Sequence, residues 1–178
     1  MKNCYKSDNT NMMQSQSNQP ANQPDEWTAY HEAGHCVVAV LLGGKVERAT
    51  ITPDRDDGPN RWGDVRVKWQ GRPRWVAQSL VYLAGPAAEL IYRDESLHPA
   101  FVPEFASDWN SAWEASIASQ KSDQDRLKLL ERLSDELYQI IKRQDHWNAV
   151  AEIADLLLAH ETIEYEEIHE TVHRWIDG

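Results

Sequence analysis

Residues 25–44 read DEWTAYHEAGHCVVAVLLGG, and this stretch decides how the rest of the chain is interpreted. Between Trp27 and Leu42, apolar side chains recur at intervals of three and four, which predicts a helix with one apolar face. Asp25 is a residue type that caps helix N-termini. The glycines at 43 and 44 tolerate the left-handed backbone with which many helices end. The stretch therefore predicts a helix that begins at Asp25 and ends at this glycine pair.

The predicted helix contains an H-E-x-x-H sequence at residues 31–35. Histidines at positions i and i+4 lie on one face of a helix, one turn apart, so His31 and His35 can bind one ion together. Neutral imidazole nitrogens suit Zn²⁺, which in catalytic sites takes a third protein ligand and a water. Glu32 lies beside the first histidine, where its carboxylate can accept a proton from that water. The motif therefore predicts a zinc site at His31 and His35, with Glu32 as general base.

The residues alone leave the third zinc ligand open. A metzincin would have Gly at position 38 and His at position 41, but Val38 and Leu41 stand there, which excludes that class. An acidic residue on a later helix is then required. Glu89 is one candidate, because a carboxylate is unexpected in the apolar segment 75–92. Asp108, at the start of the following helix, is the other.

The rest of the chain predicts a mainly α fold with a minor β part. Residues 1–24 are rich in Asn, Gln and Ser and are expected to form a disordered tail, followed by one domain over 25–178. Segments 46–52 and 62–69 have the composition of strands, around a turn-rich stretch at 53–59. Pro86 should either kink the helix over 75–92 or begin a second helix. Further helices are expected from Ser107 or Asp108 to about 119, over 121–144, around 150–158 and over 165–176.

Composition excludes several classes of function. The chain has 178 residues and a formal net charge of −11, which disfavours binding to nucleic-acid phosphates. No apolar run approaches the roughly 18 residues of a membrane-spanning helix, and no apolar core of a signal peptide precedes residue 25. Two cysteines, Cys4 and Cys36, are too few for a disulfide framework. We therefore expect a cytoplasmic protein that is not inserted in a membrane.

Several short motifs resemble the FtsH-type zinc metallopeptidases, the proteolytic domain of the membrane-bound AAA proteases. The resemblance begins at Tyr30-His31-Glu32-Ala33-Gly34-His35 and covers about residues 27 to 175. Pro86 stands where that family usually has Arg, and one residue fewer precedes Asp108. The other matching segments are VERATITP at 46–53, LAGPAAE at 83–89, ASD at 106–108 and ADLLLAHETI at 154–163.

The resemblance implies an aspartate as third zinc ligand, which selects Asp108 and leaves Glu89 to orient a histidine. It implies a helical zinc-peptidase domain that hydrolyses peptide bonds. Because the sequence has no ATP-binding P-loop and no membrane segment, we expect a freestanding, ATP-independent peptidase that cuts unfolded or flexible segments. A folded substrate would need a partner protein that delivers it. A homo-oligomer is compatible with the resemblance.

The segment from Gly63 to Trp69 is a candidate edge strand beside the zinc. An extended protein or peptide substrate could pair with its backbone at Asp64, Val65, Arg66 and Val67, although an ordinary hairpin strand is an equal alternative. Two other functions stay open. One is a catalytically silent zinc-binding module that regulates or recruits another protein, and the other is a helical protein whose motif is accidental.

Overall fold

A computed structural model of the chain describes residues 23–52, 63–119 and 121–178. It is mainly helical with a small antiparallel sheet, which confirms the predicted fold class. The turn-rich stretch at 53–59 lies outside the described residues, as does the expected tail apart from its last two residues. Six helices are described: α1 Gln23–Leu41, α2 Trp75–Tyr92, α3 Ala106–Ser116, α4 Asp123–Ile141, α5 Gln144–His160 and α6 Tyr165–Ile176. The described strands are β1 Lys45–Thr50, β2 Asp64–Lys68 and β3 Thr162–Glu164.

Helix α1 lies at the centre of the molecule and packs against α2 and α5. It begins at Gln23, so the predicted start at Asp25 is wrong by two residues, because a proline such as Pro24 is tolerated in the first helical turn. At the other end, Gly44 N–H donates to the carbonyl of Ala39 over 2.8 Å. The φ of +81° at Gly43 is the left-handed conformation expected there.

The contact between α1 and α2 is close because of Gly34. A Cβ at this position would lie 2.5 Å from the carbonyl oxygen of Ala84 and 2.6 Å from the Cβ of Ala88. Helix α2 continues without a break through Pro86, so the alternative that a second helix begins there is wrong. Proline removes only one backbone donor, and the buried packing of residues 83–90 holds the helix across that position.

The sheet has the strand order β2-β1-β3, with both pairs antiparallel. Val46 pairs with Val67 and Thr50 with Asp64, and the register shifts between Val46 and Arg48. The third strand was not predicted, because its three residues are too few to show an alternating pattern. Strand β2 forms one edge of the described sheet. The two predicted strands are therefore present, with shorter bounds than the sequence pattern indicates.

Helix α3 is positioned by a connector of two short 3₁₀ turns, Pro99–Phe101 and Pro103–Phe105. It begins at Ala106, one residue before the earlier of the two predicted starts, and a third 3₁₀ turn, Ile117–Ser119, follows it. Its first turn is thereby brought against α1 and α2 through the fully buried Phe105. Within the described residues, no helix combines the length and apolar character that crossing a bilayer requires.

Candidate metal centre

Three side chains predicted as zinc ligands come together between α1 and α3. Nε2 of His31 lies 3.0 Å from Oδ2 of Asp108, and Nε2 of His35 lies 3.6 Å from its Oδ1. One ligand atom from each of the three residues lies within 4.8 Å of the others. No other such group of histidine, cysteine and acidic side chains is present among the described residues. Two imidazole nitrogens and one carboxylate therefore converge on a single point.

The outer nitrogen of each histidine has a fixed partner. Nδ1 of His35 donates to the backbone carbonyl of Val81 over 2.7 Å, and Nδ1 of His31 lies 3.0 Å from Oε2 of Glu89. Because a carbonyl oxygen only accepts hydrogen bonds, Nδ1 of His35 carries the proton and Nε2 keeps its lone pair for a cation. Of the two acidic candidates, Asp108 thus lies on the ligand side of His31, and Glu89 lies behind it.

Gly85 leaves the space in which the two imidazoles meet. A Cβ at this position would lie 2.6 Å from Nε2 of His31 and would also collide with Nε2 of His35. A side chain here would therefore fill the place to which both nitrogens point. The sequence showed Gly85 only as part of a motif, and no spacing rule could have linked it to residues 50 positions away.

The charges in this centre favour a cation. Burial lowers the pKa of His31, but hydrogen bonds to Asp108 and Glu89 outweigh that effect and raise the pKa to about 10. Burial lowers the pKa of His35. Burial raises the pKa of Asp108, yet its hydrogen bond from His31 and the nearby histidines bring that pKa below its ordinary value. Two imidazoles and an ionised carboxylate are a ligand set that fits Zn²⁺.

Glu32 is buried beside this ligand set. Burial is the main cause that raises the pKa of its carboxyl group to about 8, and neighbouring carboxylates add to the rise against the opposing effect of His31. The backbone at Gly63, just before β2, lies against Glu32. A Cβ at Gly63 would be only 2.6 Å from Cδ of Glu32. The carboxyl group is thus held between the metal centre and the beginning of the edge strand.

The metal centre opens into a cleft of about 510 Å³. Of the predicted edge-strand residues, Val65 and Val67 line it, and Arg66 between them does not, because successive residues of a strand point to opposite faces. Asp64, the first residue of β2, also lines the cleft. Among the described residues that line the cleft, none is a lysine or arginine. The cleft is lined by Trp27, Thr28, His31, Glu32, His35, Gly63, Asp64, Val65, Val67, Trp69, Gln78, Val81, Tyr82, Glu89, Glu104, Phe105, Ser107, Asp108 and Ser111.

Searches against protein-family models and against curated proteins find no match to this chain. The geometry of the candidate metal centre and the motifs in the sequence therefore provide the basis for a proposed function.

Proposed function

We propose that this protein is a zinc-dependent endopeptidase of the FtsH type that hydrolyses peptide bonds in unfolded or flexible protein segments. The observation that carries the proposal is the convergence of His31, His35 and Asp108 beside the buried carboxyl group of Glu32, at an open cleft. Each residue has the chemistry that the reaction requires: three ligands for one zinc ion, and one acid–base group next to them.

When bound by these ligands, zinc would act as a Lewis acid and lower the pKa of a water toward neutrality. Glu32 then accepts a proton from this water while the water oxygen adds to the carbonyl carbon of the scissile peptide bond. The same carboxyl group next gives the proton to the amide nitrogen, and the C–N bond breaks. Without a bound metal, burial raises the pKa of this carboxyl group to about 8, and the charge of a bound zinc would favour the ionised form that accepts the proton.

Strand β2 supports a site for an extended substrate. It pairs with β1 on one side, and no other strand pairs with it in the described part of the sheet. An extended chain that adds to its outer edge would run past Glu32, since Gly63, immediately before the first residue of β2, lies against that side chain. Backbone pairing makes little demand on sequence, which suits a peptidase for unfolded segments. A folded substrate would first have to be opened by another protein.

The Glu32→Gln variant tests this function, because glutamine keeps the size of the side chain and cannot take the proton. We expect about one zinc per chain in both forms, and a kcat/KM for an unfolded, fluorescently labelled protein that is about 10² to 10⁴ times lower in the variant. Zinc content is measured by mass spectrometry. The matched control is Glu114→Gln, an exposed glutamate on α3, which should cleave like the wild type.

Two outcomes would contradict the endopeptidase. Cleavage that persists in Glu32→Gln would contradict the role of Glu32 as the general base. A wild-type chain that binds zinc through His35, as shown by loss in His35→Ala, but cleaves no unfolded protein would favour the zinc-binding regulatory module instead.

A further inference from the structure

Behind His31, the carboxylate of Glu89 is shared between two partners. Its Oε2 faces Nδ1 of His31 at 3.0 Å, while its Oε1 accepts a hydrogen bond of 2.9 Å from Nη1 of Arg93. Glu89 is buried, with 6% of its surface exposed. Burying a carboxylate with only one hydrogen-bond partner costs free energy. The second partner, Arg93, therefore helps to determine where the carboxylate of Glu89 lies.

Arg93 is itself held on three sides at the C-terminal end of α2. Its Nη2 lies 3.0 Å from the carboxylate of Glu95. The carbon of its guanidinium group lies 4.2 Å from the ring centroid of Trp27, which is one helical turn before His31 on α1. The side chain of Arg93 is 15% exposed. Its planar fork therefore connects the end of α2 with the helix that carries both histidines.

We propose that Arg93 is a positioning residue of the metal centre: it fixes the carboxylate of Glu89, which in turn orients the imidazole of His31 so that Nε2 points to His35 and Asp108. This inference rests on the proposed zinc centre and extends it from the ligands to the end of α2. Outer carboxylates that orient a ligating histidine affect metal affinity strongly, and a carboxylate can do so only if its own rotamer is fixed.

The geometry explains why position 93 requires an arginine and not simply any positively charged side chain. Arg93 uses one nitrogen for Glu89 and another for Glu95, while its flat face lies on Trp27. A lysine could reach Glu89 as a point charge but could not make both hydrogen bonds with the same fixed geometry. Arg93→Lys is therefore expected to restore part of the function that Arg93→Met loses.

The test compares zinc affinity, measured by competition with a chromogenic chelator, in the full chain and in five variants. We expect Arg93→Met to bind zinc about 10- to 100-fold more weakly, and Arg93→Lys to recover only part of that loss. Arg132→Met is the matched control, because it removes an exposed arginine of α4 that pairs with Glu136 on the same helix; its zinc affinity should equal that of the wild type. The visible spectrum of bound Co²⁺ should change in Arg93→Met and stay unchanged in Arg132→Met.

The fourth and fifth variants, Glu89→Gln and Arg93→Met/Glu89→Gln, separate positioning from general stability. If Arg93 acts through Glu89, the double variant should bind zinc no more weakly than Glu89→Gln alone. Losses that multiply in the double variant would overturn the inference, and so would a wild-type zinc affinity and Co²⁺ spectrum in Arg93→Met. If Arg93→Met does not fold, Arg93→Lys with wild-type affinity and spectrum would overturn it as well. A wild-type chain that binds no zinc would refute the metal centre itself, and this inference with it.

Discussion

At the scale of single residues, the candidate metal centre depends on the groups that orient its proposed ligands as much as on those ligands themselves. Hydrogen bonds from both imidazoles select the nitrogen that faces the centre, through Glu89 for His31 and through a backbone carbonyl for His35. Gly85 provides the space between them. None of these three partners is close in sequence to the histidine that it serves.

Zinc binding should release protons. Without metal, the pKa of His31 is raised to about 10 and that of Glu32 to about 8, so both side chains are mainly protonated at pH 7. Zinc requires a neutral His31, and its charge favours the ionised form of Glu32. We therefore expect more than one proton released per zinc in the wild type and about one in Glu32→Gln, so that zinc affinity increases with pH.

Calorimetry in buffers that differ in ionisation enthalpy counts these protons. The Glu32→Gln variant is the internal control, because it isolates the contribution of His31. Zinc binding at pH 7 without proton release from either form would contradict the proposed protonation of His31.

At the scale of elements, the close packing of α1 on α2 sets the distance between the two histidines and the groups behind them. Val81, Gly85 and Glu89 lie on α2, each four residues after the last, so one face of this helix supplies all three contacts to the histidines. Gly34 allows the two helices to approach that closely. The element-scale feature that matters most is therefore a helix pair in close contact.

The Gly34→Ala variant should separate these helices. Its Cβ would lie 2.5 Å from a backbone oxygen, so α2 must move, and overpacking of this kind lowers the free energy of unfolding by about 1–3 kcal/mol. Zinc affinity should fall together with the stability, because the carbonyl of Val81 and the carboxylate of Glu89, which bond the outer nitrogens of the histidines, move with α2. Urea unfolding and zinc competition measure the two effects.

A second substitution provides the control. Ala88→Gly in the Gly34→Ala background removes the clash with the Cβ of Ala88 but leaves the clash with the carbonyl oxygen of Ala84. Recovery of stability should therefore be partial. Wild-type stability in Gly34→Ala alone would show that the helix contact is looser than described.

At the scale of the whole molecule, the charge of the chain and the charge of the cleft have the same sign. The net charge is −11, and the cleft lining contains Asp64 and Glu104 in addition to the acidic groups of the candidate metal centre, with no lysine or arginine among the residues that the structure describes. A negative cleft on a negative protein should attract cationic peptides and repel anionic ones.

Lysine-rich unfolded peptides should accordingly be cleaved with a kcat/KM about tenfold higher than glutamate-rich peptides of the same length at low salt. The difference should shrink as ionic strength rises, because salt screens charges at the surface. Glu104→Gln, which removes one cleft charge from a residue outside the ligand set, should reduce the difference. Equal rates for both peptides at low salt would exclude electrostatic selection.

The sequence by itself was sufficient for the local features of this protein. Helical spacing placed His31 and His35 on one face of α1, and composition predicted a mainly α fold with a minor sheet. Such features depend on interactions between residues a few positions apart, which periodicity records. The same reasoning missed β3, whose three residues pair with a distant strand, and it placed the start of α1 two residues too late.

Only the tertiary structure decided which distant residues meet the histidines. From the residues alone, Glu89 and Asp108 were equal candidates, and the FtsH resemblance was needed to choose between them. In the folded chain, Asp108 lies at Nε2 of His31 and Glu89 at its Nδ1. Arg93 contacts Trp27, and Gly85 lies against both histidines, only because α2 packs on α1. Contacts across 50 to 77 positions leave no periodic signal in one sequence, because they are set by how whole helices pack.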